Sequence, residues 1–144
     1  MSDLLAQADQ GCATWPTAPT WTRCYDVSTA ACSSTRSRRT VHDVRVAGLD
    51  SHIPKTCDFW ETVLFRAGHY RGSALHAHRH VHHRTPLSAR HFVCWLTTWN
   101  NTIDEMHRGP IAEHAKVQAA RIAWAMHHRL TGDDGHELDA VVAR

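Results

Sequence analysis

The sequence predicts an all-α protein, on the basis of two long segments with helical periodicity and the lack of any strand pattern. Between residues 87 and 106, apolar side chains recur every three or four positions, as on one face of a helix. They are Phe92, Trp95, Leu96, Trp99, Ile103 and Met106. Smaller apolar residues continue this spacing from Ile111 to Leu130. No segment alternates apolar and polar residues as a half-buried strand would, and no internal repeat is present.

The composition favours a single domain without a nucleic-acid or membrane partner. The chain has 144 residues, 42% of them hydrophobic, and a formal net charge of only +2. Its basic residues are scattered, which argues against nucleic-acid binding. No apolar run approaches the roughly 20 residues of a membrane-spanning helix, and the N-terminus does not resemble a signal peptide. We therefore expect a cytoplasmic protein.

Residues 1–42 differ in composition and periodicity from the rest of the chain. We predict that they are a disordered or aberrant N-terminal segment. They are rich in Thr, Ser, Ala and Pro and show neither strand nor helix periodicity. Three of the five cysteines and two of the six tryptophans nevertheless lie here, and disordered segments seldom contain either.

This contradiction leads to the hypothesis that the segment is translated in a shifted reading frame. In the displaced frame, the codons for Trp, Cys, Tyr and some Ser supply a central T, which encodes an apolar residue. The affected positions have the spacing i, i+3, i+4, i+7 and i+11, which is that of an amphipathic helix. They are Trp21, Cys24, Tyr25, Ser28 and Cys32. With permitted codons, residues 22–37 become ALLRRFYGRVLVDEV.

The remaining elements follow from periodicity and from Gly and Pro punctuation. A helix is predicted from Leu49 to Phe65, with Pro54 near its first turn. Gly68 and Gly72 mark a connection to a short helix from Ala74 to Val81, which Pro86 stops. The helix over 87–106 then ends before Gly109, and Pro110 begins the last predicted helix. That helix ends at Thr131-Gly132, and residues 131–144 are predicted to be a polar tail.

Cysteine spacing gives little support for disulfides or a thiolate metal site. The five cysteines are odd in number, and no two form a CxxC pair. Cys57 and Cys94 stand among apolar residues, so we expect both to be small core residues.

The histidines offer two alternative ligand sites. The chain has 14 histidines, five of them in the sequence HAHRHVHH of residues 76–83. On a helix, His76, His80 and His83 share one face and His78 and His82 another, so a His-rich helical protein binding zinc, copper or nickel is one alternative. Leu75 and Val81 flank His78 with apolar surface, which suits axial ligation of haem iron instead. Otherwise these histidines are solvated side chains.

Three sequence blocks resemble the truncated haemoglobins, specifically their third group. The blocks are CDFWETVLFRAGHYRG, LHAHRHVHHRTPLSARHFVCWL and GPIAEHAKVQAARIA, and the similarity covers about residues 43–130. The resemblance implies a truncated two-over-two globin fold in that region, holding haem b. It implies that the chain binds O₂, NO, CO or a similar small ligand at a histidine-ligated iron. NO dioxygenase or peroxidase-like activity, with a reductase partner, is compatible with the resemblance but not fixed by it.

The same resemblance assigns the site residues. His78, in LxxH, corresponds to the proximal iron ligand, and His52, which precedes CDFW, to the distal histidine. Trp95 corresponds to the pocket tryptophan of HFxxWL. The other haem-pocket positions are Phe59, Trp60, Tyr70 and Leu75.

The N-terminal segment departs from the family pattern. The family has a helix with a Phe-Tyr pair there, whose Tyr hydrogen-bonds the distal ligand, and the chain as written lacks it. The shifted frame restores Phe-Tyr near Ser28 and Thr29. Two hypotheses therefore stand beside intact haem binding: weak binding through a missing distal wall, and a non-functional product of a damaged gene.

Overall fold

The structure, a computed structural model, describes the backbone of residues 49–142 and the side chains of residues 54–141. This part of the chain consists of five α-helices and contains no strand, which confirms the predicted all-α class. The helices are α1 (Leu49–Phe65), α2 (Ala74–Arg84), α3 (Ala89–Met106), α4 (Pro110–Thr131) and α5 (His136–Val142). The predicted N-terminal segment, residues 1–42, lies outside the described residues.

The helix boundaries fall where the Gly and Pro residues predict them. α1 has the predicted bounds, and α4 begins at Pro110 directly after Gly109, whose φ is 103°. Gly132 adopts a left-handed conformation with φ 74° and ends α4, because a residue without a Cβ takes this conformation without steric cost. α2 continues to Arg84, one turn beyond the predicted Val81, and stops just before Pro86.

A first hydrophobic cluster joins α1, α3 and α4. Trp60 of α1 stacks on Trp99 of α3 with ring centroids 4.5 Å apart and an interplanar angle of 12°. The indole N–H of Trp99 donates to the carbonyl oxygen of Ala115 at 3.4 Å, so α4 lies close against α3. Small side chains on α4 permit this approach because they extend only a short distance from the helix backbone. The buried members are Trp60, Leu96, Trp99, Ile103, Ala112, Ala115 and Ala119.

A second cluster joins α2, α3, α4 and α5 at the other end of the α3–α4 pair. Its buried members are Leu87, Phe92, Ala123, Met126 and Leu138. Leu75 and Val81 of α2 pack against this cluster as half-buried residues. The cluster therefore fixes how α2 lies against the rest of the described chain.

The predicted polar tail over residues 131–144 is wrong, because residues 136–142 form the docked helix α5. Gly135, with φ 67°, turns the chain back, and Leu138 becomes fully buried at 0% exposure. The polar composition of the segment does not indicate this helix. Leu138 is the one described residue of the segment that belongs to the second cluster. A single buried leucine contributes about 1.5–3 kcal/mol.

The two cysteines of the described helices differ. Cys57 is a thiol and packs half-buried against the first cluster, as predicted. Cys94 is disulfide-bonded, so the expectation of a plain core cysteine is wrong for this residue. Sequence spacing does not reveal such pairs because the distance between two cysteines is set by the fold.

None of the helices within residues 49–142 combines the length and the apolar character needed to cross a membrane.

Candidate functional site

Helix α2 has an inner face that packs onto the second cluster and an outer face of exposed histidines. Ser73 caps the helix, its Oγ accepting the backbone N–H of His76 at 3.2 Å. The half-buried residues of the helix define the inner face. They are Ala74, Leu75, Val81 and His82.

His78 lies at the centre of this inner face and is nevertheless exposed. With about 100° of rotation per residue, its position falls midway within the arc formed by the four half-buried residues. The residues one turn before and one turn after are partly covered by neighbouring elements, whereas the His78 side chain is accessible to water. The inner face of α2 is therefore open at His78.

A hydrogen bond fixes the tautomer and orientation of the His78 ring. Its Nδ1 lies 2.8 Å from the carbonyl oxygen of Ala74, one turn earlier on α2. A carbonyl oxygen only accepts hydrogen bonds, so Nδ1 carries the proton and Nε2 keeps its lone pair. Nε2 has no hydrogen-bond partner among the described residues, and it is the atom available to a ligand or metal.

Burial lowers the pKa of His78 below its ordinary value of 6.5, and the hydrogen bond to Ala74 only partly opposes this effect. The shift has the direction expected when neighbouring protein atoms displace water from the ring, although the side chain stays accessible to solvent. The neutral imidazole, which is the metal-binding form, is consequently favoured near pH 7.

The predicted aromatic positions form a chain of ring contacts that runs from the α1–α2 connection into α3. Tyr70 meets Phe59 edge to face at 5.2 Å, and Phe59 meets Trp60 edge to face at 5.5 Å. Trp60 stacks on Trp99, which stacks in turn on Trp95 at 6.1 Å and 14°. The structure therefore brings four of the predicted pocket residues into one array, with Trp99 as the link.

These residues differ in what they can present to a ligand. Trp60 is only 2% exposed, so its main role is in the core. Phe59, Tyr70 and Trp95 are half-buried, and the indole N–H of Trp95 has no hydrogen-bond partner in the part of the chain that the structure describes. Leu75, the neighbour of His78 on the inner face, packs on the second cluster together with Trp95.

His52 lies in the first turn of α1, but its side chain is outside the described residues.

The other α2 histidines do not converge on a metal site. His76, His80 and His83 are exposed, and His82 is engaged, its Nδ1 accepting the backbone N–H of Leu87 at 3.0 Å. Within residues 54–141, the three-residue group with metal-ligand geometry lies elsewhere, at Asp58, Glu61 and His69. The sequence alone does not predict this group, because its only local signal is the i, i+3 spacing of the two acidic residues.

No protein-family model, curated protein sequence or solved structure is significantly similar to this chain. The interpretation of the site therefore depends on its own residues, and the two-over-two globin arrangement stays a prediction.

Proposed function

We propose that this chain is a haem-binding protein of the truncated globin type, with His78 as the axial ligand of the iron. The observation that carries the proposal is the placement of His78 at the open centre of the inner face of α2, where Nε2 has no hydrogen-bond partner among the described residues. The haem would be held b-type, through this nitrogen and through apolar contacts.

Two sets of described residues have side chains suited to contact with a haem group. Leu75 and Val81 place apolar surface on either side of His78, and both are anchored in the second cluster. Phe59, Tyr70 and Trp95 add half-buried aromatic surface, and flat apolar rings suit a flat macrocycle. When bound, haem iron supplies an open coordination position for O₂, NO or CO.

The Ala74 carbonyl acts as the positioning partner of His78. Histidines that bind metals usually donate their second ring N–H to a carbonyl, a carboxylate or water, which orients the ring and increases the basicity of the ligating nitrogen. The 2.8 Å contact from Nδ1 meets this requirement within the helix itself. The orientation of the His78 ring is thus fixed without a bound cofactor.

Trp95 is the proposed hydrogen-bond donor toward the bound diatomic ligand. Its ring is held by stacking on Trp99 and by both hydrophobic clusters, while its N–H remains unpaired among the described residues. NO dioxygenation and peroxidase-like turnover would extend this binding function, and each needs an external reductant such as a reductase.

The alternative of a haem-free zinc, copper or nickel protein has less support. It needs several α2 histidines to meet at one point, whereas His76, His80 and His83 point outward as exposed side chains and His82 is engaged by Leu87. No specific contact of the α2 histidines favours this alternative over haem.

A haemin titration of the purified full chain tests the proposal. We expect one equivalent to bind with a Soret band that shifts on addition of CO. His78→Ala should abolish this band, whereas His80→Ala, on the exposed face of the same helix, should leave it unchanged.

Equal haemin binding by both variants would contradict the proposal. A chain that binds no haemin is titrated again with the N-terminal reading frame restored. Failure of both forms would exclude the globin function.

A further inference from the structure

A second group of potential metal ligands lies where the α1–α2 connection folds back along α1. Asp58 and Glu61 are one turn apart on α1 and therefore share a face. His69 approaches them from the connection. One ligand atom from each side chain lies within 4.8 Å of the others.

One pair of the triad has a separation suited to a shared metal ion. Nδ1 of His69 lies 3.3 Å from Oε2 of Glu61. An N–H···O hydrogen bond has its usual distance at about 2.9–3.0 Å, so this contact is long for a hydrogen bond. Zinc bonds of about 2.0–2.2 Å at a tetrahedral angle place two ligand atoms about 3.3–3.6 Å apart.

Contacts outside the triad hold the connection in place. Thr62 Oγ1 donates to the carbonyl oxygen of Asp58 at 2.8 Å and accepts the backbone N–H of Tyr70 at 3.1 Å. The Tyr70 ring also rests edge-on against Phe59. The anchored neighbour Tyr70 therefore helps to place His69 beside the acidic face of α1.

The two carboxylates lack a lysine or arginine partner among the described residues. The ion-pair partner of Glu61 is His69, and Asp58 forms no ion pair within this part of the chain. The last turn of α1 carries no basic residue, although the negative end of a helix favours positive charge there. Both carboxylates are half-buried, so water screens their mutual repulsion less than it would on an open surface.

We propose that Asp58, Glu61 and His69 form a Zn²⁺ site that is separate from His78. One imidazole and two carboxylates supply three ligands and a charge of −2, which a divalent cation neutralises. The mixed nitrogen and oxygen set favours zinc over Mg²⁺ or Ca²⁺, which prefer oxygen ligands alone. Water completes a four-coordinate shell. The ion would cross-link α1 to the connection that leads to α2.

The test is a Zn²⁺ titration of the full chain in competition with a chromophoric chelator. Because the exposed α2 histidines can bind zinc weakly, the background chain carries His76→Gln, His80→Gln and His83→Gln. We expect one equivalent of Zn²⁺ to bind this background. Asp58→Asn, Glu61→Gln and His69→Gln should each reduce its affinity at least tenfold.

Matched controls use residues of the same types outside the triad. Glu137→Gln and His114→Gln change exposed side chains on other helices and should leave the zinc affinity within twofold of the background. Far-UV circular dichroism verifies that every variant stays helical. His69→Gln is the most informative change, because this side chain is exposed and its loss leaves no buried cavity.

The proposal is overturned if the background binds no zinc, or if the three triad variants bind it as the background does. His78→Ala should not alter zinc affinity, so a failure of the haem proposal leaves this result unaffected. A loss of zinc binding in His78→Ala, together with unchanged binding in His69→Gln, would place the metal on α2 and overturn the triad.

Discussion

The Nδ1 atom of His78 and the carbonyl oxygen of Ala74 lie 2.8 Å apart, one turn apart on the same helix. This contact assigns the ring proton to Nδ1 and leaves Nε2 of the neutral imidazole unprotonated. It uses a backbone acceptor, so no second side chain is needed to orient the ligand.

The stability of the haem-free chain should fall as the pH decreases from 7 to 5, in part through His78. Burial lowers the pKa of His78 below 6.5 in the folded state, so the unfolded chain binds more protons below that pH. The contribution of His78 to stability is therefore present above pH 6.5 and decreases as the pH falls toward its folded pKa. Urea denaturation of the wild type and His78→Gln at several pH values should show a weaker pH dependence in the variant. His76→Gln is the exposed control. Parallel curves for His78→Gln and wild type would contradict the assignment.

Trp95→Phe should weaken the binding of a diatomic ligand while leaving the fold intact. Phenylalanine preserves an aromatic ring beside Trp99 but removes the N–H donor. One hydrogen bond contributes about 0.5–1.5 kcal/mol, so the O₂ dissociation rate should rise about 2- to 10-fold. Stopped-flow ligand replacement measures this rate. Trp124→Phe, at a 45% exposed position of α4, should leave it unchanged. An unaltered rate in Trp95→Phe would show that its N–H does not face the ligand.

Leu138→Ala should detach α5 from the second cluster. The side chain is fully buried, so its truncation is expected to cost about 2–5 kcal/mol of unfolding free energy. Urea denaturation followed by circular dichroism measures the loss. Glu137→Ala, at the exposed preceding position, should change the free energy by less than about 0.5 kcal/mol. Similar values for both variants would mean that α5 is not docked through Leu138.

Ala119→Leu should destabilise the chain by overpacking the first cluster. Ala119 is fully buried on α4, among the small residues that face α3. A larger side chain there would force the helices apart, at a cost of typically about 1–3 kcal/mol. The midpoint of thermal unfolding should fall accordingly, whereas Ala140→Leu on the exposed side of α5 should leave it nearly constant. A variant as stable as the wild type would show that the two helices do not meet at Ala119.

Periodicity and chain punctuation were sufficient to predict most of the described helices. The three-to-four spacing from Phe92 to Met106 predicts α3, and Gly109, Pro110 and Gly132 delimit α4. These signals are local, because they depend on backbone conformations and on neighbours within one turn. The same local evidence does not predict α5, a helix in a polar segment whose apolar contacts come from Leu138 and Val141.

The sequence by itself therefore determined the all-α class and the main helix boundaries, and its LxxH motif indicated His78 as a candidate ligand. Only the tertiary structure decided that His78 stands exposed at the centre of a packed face, because exposure depends on which elements cover a helix. Tertiary structure also brought His69 to Asp58 and Glu61, through the hydrogen bond between Tyr70 and Thr62. Such groupings are set by how the chain folds back on itself, and no local pattern of residues encodes the distance between them.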